Sequence, residues 1–244
     1  MVYEWLLKQL LPYACVLCGK RGTRHLDLCS DCLGRLQRPG LRCPRCALPL
    51  PEGTVPGTLC GRCLRRPPAF DHSLAALLYR PPADRLVLDL KFHARLANAR
   101  VLARLLAGPA RRRPRPLALV PVPLHPARQR QRGFNQSLEI ARLLGRMLRI
   151  PVAAGLCRRI RPTPAQSGLG AGARRRNLQG AFQVTEREVP ARLALIDDVM
   201  TTGSTLDAMA HSLRKAGATH IEAWVCARTP VDEERSVSAR TGDG

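Results

Sequence analysis

Two adjacent carboxylates, Asp197 and Asp198, stand between four apolar residues (Leu193 to Ile196) and a hydroxyl-rich loop, Thr201-Thr202-Gly203-Ser204-Thr205. The apolar run reads as a buried strand, and Thr205 to Ala216 reads as a helix. A loop of this kind between strand and helix is an anion cradle. Glycine lets the backbone approach a phosphate, the first N–H groups of the helix point at it, and Ser/Thr hydroxyls donate to it. The carboxylates do not serve the phosphate, because like charges repel. They call for a neutral diol or a cation, and a ribose 2′,3′-diol beside a phosphate supplies the first. Asp197, Asp198, Thr201, Thr202, Gly203, Ser204 and Thr205 are therefore the candidate residues of a sugar-phosphate site. An exposed strand end with Ser204 as a helix N-cap explains neither the paired Asp nor the full set of hydroxyls.

This order of strand, acidic pair, two apolar residues and Thr-Thr-Gly-Ser-Thr resembles the phosphoribosyl-pyrophosphate (PRPP) motif of type I phosphoribosyltransferases. The resemblance implies PRPP as ligand, with Mg²⁺ on its pyrophosphate. Catalysis of this kind asks little of side chains. The metal stabilises the leaving group, and the protein positions an oxocarbenium-like ribose against an acceptor. No catalytic side chain is therefore assigned. Purine-salvage enzymes of this fold often carry an acidic residue where this chain has Thr201, which argues against that subgroup.

Cysteine supplies the second chemical signal. Of ten Cys, eight fall in four C-x-x-C pairs before residue 64: Cys15/Cys18, Cys29/Cys32, Cys43/Cys46 and Cys60/Cys63. Two such knuckles hold one zinc in a tetrahedral S₄ site, so four imply two structural zinc ions. Gly19 follows the first pair, where a knuckle needs a residue tolerant of positive φ. A disulfide framework would require an oxidising compartment, and a redox role would need one motif, not four. Consecutive pairing gives sites Cys15/Cys18/Cys29/Cys32 and Cys43/Cys46/Cys60/Cys63; crossed pairing is the alternative. Cys157 and Cys226 read as small packed hydrophobes.

The elements that must hold these groups alternate between strand and helix. A chain of 244 residues holds one good domain and a small one. The organisation expected is a double zinc-ribbon module over 1–66, a PRPP-binding domain over 67–230 and a polar tail over 231–244, with Arg65-Arg66-Pro67-Pro68 as the linker. The Cys-rich segment is too small to bury a core, so metal must supply its folding energy. Strands are expected over Ser73–Tyr79, Leu117–Val122, Ala194–Ile196 and Ile221–Cys226. Pro81 to Asp84 reads as a helix start, and Leu86, Leu90, Leu96, Val101 and Leu105 predict helix through Arg85–Ala107. Asn135 caps a helix to about Arg149, and Trp5, Leu6 and Leu10 predict a short packed helix. Such alternation makes an α/β fold with a parallel sheet flanked by helices, and ligands bind beyond the carboxyl ends of its strands. Asp197 lies at such an end, as does Pro121-Val122-Pro123-Leu124-His125.

The formal net charge is +22, and only Lys8, Lys20, Lys91 and Lys215 among the 40 basic residues are lysine. Eight thiolates and two Zn²⁺ together remove four charges, leaving +18, so a polyanionic partner is the physical reading, alongside a codon bias toward Arg. Aromatic residues make up 4% of the chain, a poor supply for stacking single-stranded bases. Glu4 sits where a signal peptide needs positive charge, Lys8 interrupts the apolar run, and no run reaches membrane-spanning length. A cytoplasmic protein without membrane contact is expected.

Four further segments sharpen the resemblance: Val120 to His125, Arg132-Gly133-Phe134-Asn135-Gln136, Thr163-Pro164-Ala165-Gln166, and Arg174 to Phe182. In this order, behind zinc knuckles and with the PRPP motif, they resemble the ComF family of competence-related proteins over roughly Leu6 to Pro230. The resemblance implies a type I phosphoribosyltransferase fold preceded by the Cys-rich module. It places Pro123 and Leu124 against pyrophosphate, with Arg132 as the best-placed neutralising cation ahead of Arg128 and Arg130. It makes Thr163–Ala181 a closing loop whose Arg174, Arg175 and Arg176 clamp pyrophosphate or bind a nucleic-acid backbone. His125 is expected to be a loop residue without a catalytic part. The function implied is handling of incoming single-stranded DNA with DNA-uptake proteins; the alternative is phosphoribosyl transfer to an unassigned acceptor.

Overall fold

The computed structural model describes residues 13–23, 26–161, 178 and 180–230. The expected helix around Trp5, the Arg174–Arg176 run and the tail lie outside these residues. Four strands form a parallel sheet in the order β1, β6, β5, β2: β1 (His72–Leu78), β2 (Ala118–Pro121), β5 (Arg192–Met200) and β6 (His220–Arg228). Side chains alternate along β5, as the period of a strand demands. Leu193 and Leu195 pack with Leu206, Met209 and Leu213 of one layer. Ala194 and Ile196 pack with Leu86, Leu102 and Ile140 of the other. Both faces are covered, which is why the sequence reads as a continuous apolar run here and not as an alternating one.

Helix α3 (Ala83–His93), α4 (Leu96–Ala110) and α6 (Gln136–Leu148) lie on one face; α7 (Ser204–Lys215) lies on the other. The expected helical stretch 85–107 is two helices. Ala94 adopts the left-handed region (φ 50°) and ends α3. The buried carboxylate of Asp89 accepts from Arg95 Nη1 at 2.9 Å and meets His93 Nδ1 at 3.1 Å, gathering both sides of the elbow. Two elements were not anticipated. One is a short helix α5 (Pro126–Arg132), with Pro126 in its first turn and His125 Nδ1 accepting from the Ala127 N–H at 3.3 Å. The other is an antiparallel pair, β3 (Cys157–Arg159) with β4 (Phe182–Val184).

Before the sheet, the knuckles pair consecutively. Cys15, Cys18, Cys29 and Cys32 form one group and Cys43, Cys46, Cys60 and Cys63 the other, their Sγ atoms within 4.8 Å of one another in each. Cys18 Sγ to Cys29 Sγ is 3.7 Å, and Cys46 Sγ to Cys60 Sγ is 3.6 Å. A ZnS₄ tetrahedron with Zn–S near 2.3 Å has edges of about 3.8 Å, whereas a disulfide is about 2.05 Å long. The eight thiols therefore fit two structural zinc ions. After each first knuckle the chain turns through positive φ, at Gly19 (76°) as expected and at Ala47 (53°). Cys29 and Cys60 stand at the N-caps of α1 (Ser30–Arg35) and α2 (Gly61–Arg65).

Each ribbon is fastened differently. Leu28, Leu36 and three of the first ribbon's Cys join the core beneath α3 and α4, where Arg100 pairs with Asp27 at 2.5 Å. The second ribbon grips the sheet by its backbone: Ser73 Oγ donates to Arg45 O at 2.7 Å, and Arg45 Nη1 donates to Phe70 O at 3.0 Å. Arg228, only 2% exposed, completes this grip. Its Nε donates to Cys46 O at 2.9 Å, and its Nη1 donates to Met200 O at 3.0 Å and Thr201 O at 2.5 Å.

Candidate functional site

Strand β5 runs through the acidic pair to Met200, farther than the apolar run alone indicates, and delivers both carboxylates to the carboxyl edge of the sheet. Asp198 is buried and Asp197 half-buried. Asp197 Oδ1 accepts from Ser137 Oγ and from the Asp198 N–H, each at 2.9 Å. Asp198 Oδ1 accepts from the Val199 N–H at 2.7 Å, while its Oδ2 lies 2.9 Å from Lys91 Nζ. Burial pushes the Asp197 carboxyl up to about 7; the neighbouring Asp198 charge adds to this, against Lys91 and the Ser137 hydrogen bond. Burial alone would lower the Lys91 ammonium, but the charge and hydrogen bond of Asp198 outweigh it and hold the ammonium above its ordinary value.

The segment 132–137 shows how local sequence aims the groups opposite. Gly133 ends α5 in the left-handed region (φ 81°), its N–H on Gln129 O at 2.8 Å. Asn135 then caps α6: its Oδ1 accepts from the Ser137 and Leu138 N–H groups at 3.0 and 3.3 Å. Its Nδ2 donates to Val122 O at 3.0 Å, tying the cap to the chain leaving β2. Ser137 is thereby set in the first turn of the helix, facing Asp197. Arg132 Nη1 donates to Gln136 Oε1 at 2.7 Å, which fixes that guanidinium as well.

These elements enclose a cavity of about 720 Å³. Asp197, Asp198, Thr201 and Thr205 line it with Leu124, and four cations, Lys91, Arg128, Arg132 and Arg159, stand around the two carboxylates. Spacing of four along α5 brings Arg128 and Arg132 to the cavity, while Arg130 is exposed and does not line it. The rest of the hydroxyl loop lies beside it. Thr202, Gly203 and Ser204 border a smaller space shared with Arg62, Cys63 and Arg66 of the second ribbon. Thr202 Oγ1 is 2.8 Å from Ser204 Oγ, and Gly203 takes φ 77° as the N-cap of α7, so Ser204 is the first helical residue and not the cap. Pro123 lines a neighbouring cavity with Leu124. The candidates Arg174, Arg175 and Arg176 lie outside the described residues.

Lys91, Ser137 and Arg159 were missed by sequence reading. Lys91 carried one available signal: it is one of only four lysines among 40 basic residues, and it follows Leu90 within an apolar helical stretch. Nothing local marks Ser137 or Arg159.

A parallel sheet with an acidic pair and a Gly/Ser/Thr loop at the end of an inner strand, behind two Cys₄ ribbons, is a type I phosphoribosyltransferase fold joined to a zinc-binding module. The family described as Double zinc ribbon domain matches residues 6–64. DNA utilization protein YhgH of Salmonella typhi is 36% identical over 226 residues, 90% of this chain and 98% of that protein. Competence protein F of Haemophilus influenzae is 36% identical over 228 residues, 88% of this chain and 97% of that protein. Among solved structures, the hypoxanthine phosphoribosyltransferase of Trypanosoma cruzi in complex with the product IMP is similar over 56% of this chain and 76% of that one, at 14% identity and a TM-score of 0.35. The chain belongs to the ComF family, that of Competence protein F and DNA utilization protein YhgH. No helix among the described residues is long and apolar enough to cross a membrane.

Proposed function

We propose that this protein binds PRPP with Mg²⁺ at the end of β5, and that it serves cytoplasmic handling of single-stranded DNA in natural transformation or DNA utilisation. The observation that carries the ligand is the cavity itself: two adjacent carboxylates share its wall with four cations and with the hydroxyls of Ser137, Thr201 and Thr205. A ribose diol meets Asp197 and Asp198. The 5′-phosphate meets the loop Thr201 to Thr205 and the start of α7, where backbone N–H groups favour an anion. The pyrophosphate, carrying Mg²⁺, meets the chain after Val122, at Pro123 and Leu124, with Arg132 and Arg128 above it and Arg174 to Arg176 closing from the following loop. Asp198 takes the diol only by exchanging its Lys91 partner for it, and the freed ammonium then faces the ligand's own negative charge. The DNA role is supported by the names of the relatives that span the chain, and by an excess of positive charge that exceeds what one small ligand needs.

Titration calorimetry of Mg²⁺·PRPP into the zinc-loaded protein tests the ligand, with Asp197→Asn/Asp198→Asn as control. Binding by the wild type that the control loses supports it; no binding by the folded wild type overturns it.

Phosphoribosyl transfer is the second reading, favoured by the extent of the cavity, which continues from the carboxylates past Leu124 to Phe92 and Phe134. An acceptor lone pair there would form the new bond to ribose C1 as the C1–oxygen bond breaks. Pyrophosphate would leave with the bonding pair, and the acceptor's proton would pass to water. Pyrophosphate release dependent on an added acceptor is the test.

A further inference from the structure

Phe92 is out of place by the ordinary rule of burial. Phe70 and Phe182 are buried and Phe134 is half-buried, but the Phe92 side chain is 67% exposed. It occupies the last turn of α3, and the left-handed turn at Ala94 carries the chain away into α4, leaving the ring at the rim of the cavity. The Arg132 guanidinium lies over it, 5.8 Å from the ring centroid, and is held there by Gln136. Gln131, Phe134 and Leu124 continue the wall behind the ring. Arg128 and Arg130 extend the positive charge along α5.

We propose that Phe92 is a stacking platform for one base of single-stranded DNA, with Arg128, Arg130 and Arg132 on the flanking phosphates. This rests on the DNA-handling reading above. An exposed ring edged by arginines fits a ligand that has a flat apolar face and negative charge on either side, which is what a single strand offers. Duplex DNA does not fit, because its base faces are already stacked. An apolar protein partner does not fit either, because the ring is edged by guanidinium groups. Although aromatic residues are sparse, one platform at the mouth of a cationic cavity suffices to hold one base, leaving phosphate contacts to supply the rest of the affinity.

The test is binding of oligo-dT and of an abasic strand of equal length by the full-length, zinc-loaded protein and by Phe92→Ala, with zinc content checked in both. Phe92→Ala is expected to bind oligo-dT roughly 5- to 100-fold more weakly and the abasic strand as the wild type does. Phe92→Trp should lose fluorescence on adding oligo-dT. Equal binding of oligo-dT by wild type and Phe92→Ala overturns the platform while leaving DNA binding intact. Failure of the wild type to bind any single strand overturns the DNA reading on which the platform rests. Quenching of Phe92→Trp by free nucleobases but not by the strand overturns the strand as its source and points to a transfer acceptor.

Discussion

Lys91 Nζ lies 2.9 Å from Asp198 Oδ2, an ion pair between a helix and the end of the strand that carries the candidate diol-binding carboxylates. Two neighbouring carboxylates in a largely buried wall repel each other, and this ammonium compensates for that repulsion. Removing it leaves Asp198 buried without its counter-charge. Lys91→Met is expected to destabilise the fold by about 3 kcal/mol, measured by denaturant unfolding. Lys91→Met/Asp198→Asn should recover most of that loss; if the double variant shows the simple sum of the two single losses, the pair is not coupled.

Asp197 predicts a pH-dependent trade between stability and binding. Its folded-state value, about 7, lies above its ordinary 3.8. As pH rises from 4 to 7 the unfolded chain gives up this proton before the folded chain does, so stability falls through that window and the loss is complete above it. Asp197→Asn removes the penalty. The variant should melt above the wild type at pH 8, by roughly 2–4 °C for each kcal/mol recovered, and the margin should vanish by pH 4. Its Mg²⁺·PRPP affinity should fall at the same time. A margin that grows on acidification is incompatible with a raised value.

The consecutive pairing of the knuckles makes the two zinc sites separable by mutation. Cys43→Ser should lose about one of two zinc equivalents by metal analysis, while Cys15, Cys18, Cys29 and Cys32 keep theirs. Because structural zinc contributes on the order of 10 kcal/mol to such a module, the second ribbon should become protease-sensitive. Full zinc in this variant would falsify the assignment.

Arg228 joins that same ribbon to the hydroxyl loop by donating to Cys46 O, Met200 O and Thr201 O. Arg228→Met removes a donor from the Cys46, Met200 and Thr201 carbonyls, the first of them buried, and it removes a positive charge facing a site whose four thiolates exceed the zinc charge by two. Zinc should leave the second site at lower chelator concentration than in the wild type, with the first site unaffected. Amide exchange at Thr202 to Thr205 should quicken in the same variant. Unchanged exchange there would confine Arg228 to the ribbon.

What the sequence disclosed was local chemistry. Asp197-Asp198 and the loop after it, the C-x-x-C pairs, Gly19 and the Asn135 cap each carry their chemistry within a few residues, and the consecutive knuckles, the turn at Gly19 and the Asn135 cap are where the spacing put them. The break at Ala94 was hidden because Leu90 and Leu96 look like one apolar stripe, although the spacing slips by six residues and Leu96 is 53% exposed. Helix α5 was hidden by its Arg/Gln composition, despite Pro126 in its first turn. Lys91, Ser137 and Arg228 gain their roles only from contacts across 107, 60 and 182 residues of chain, to Asp198, Asp197 and Cys46. No periodicity encodes such pairings.

The sheet order also governs the sequence of events during synthesis. β1 pairs with β6, which lies between it and β5. Leaving the ribosome early, the apolar strand His72–Leu78 has no sheet neighbour until His220–Arg228 follows some 140 residues later, about 7–30 s at ordinary elongation rates. The last described strand is thus a keystone. Its arrival joins β1 to β5, brings Arg228 to Cys46, and sets the Thr201 carbonyl, so the hydroxyl loop is completed only once β6 has been made.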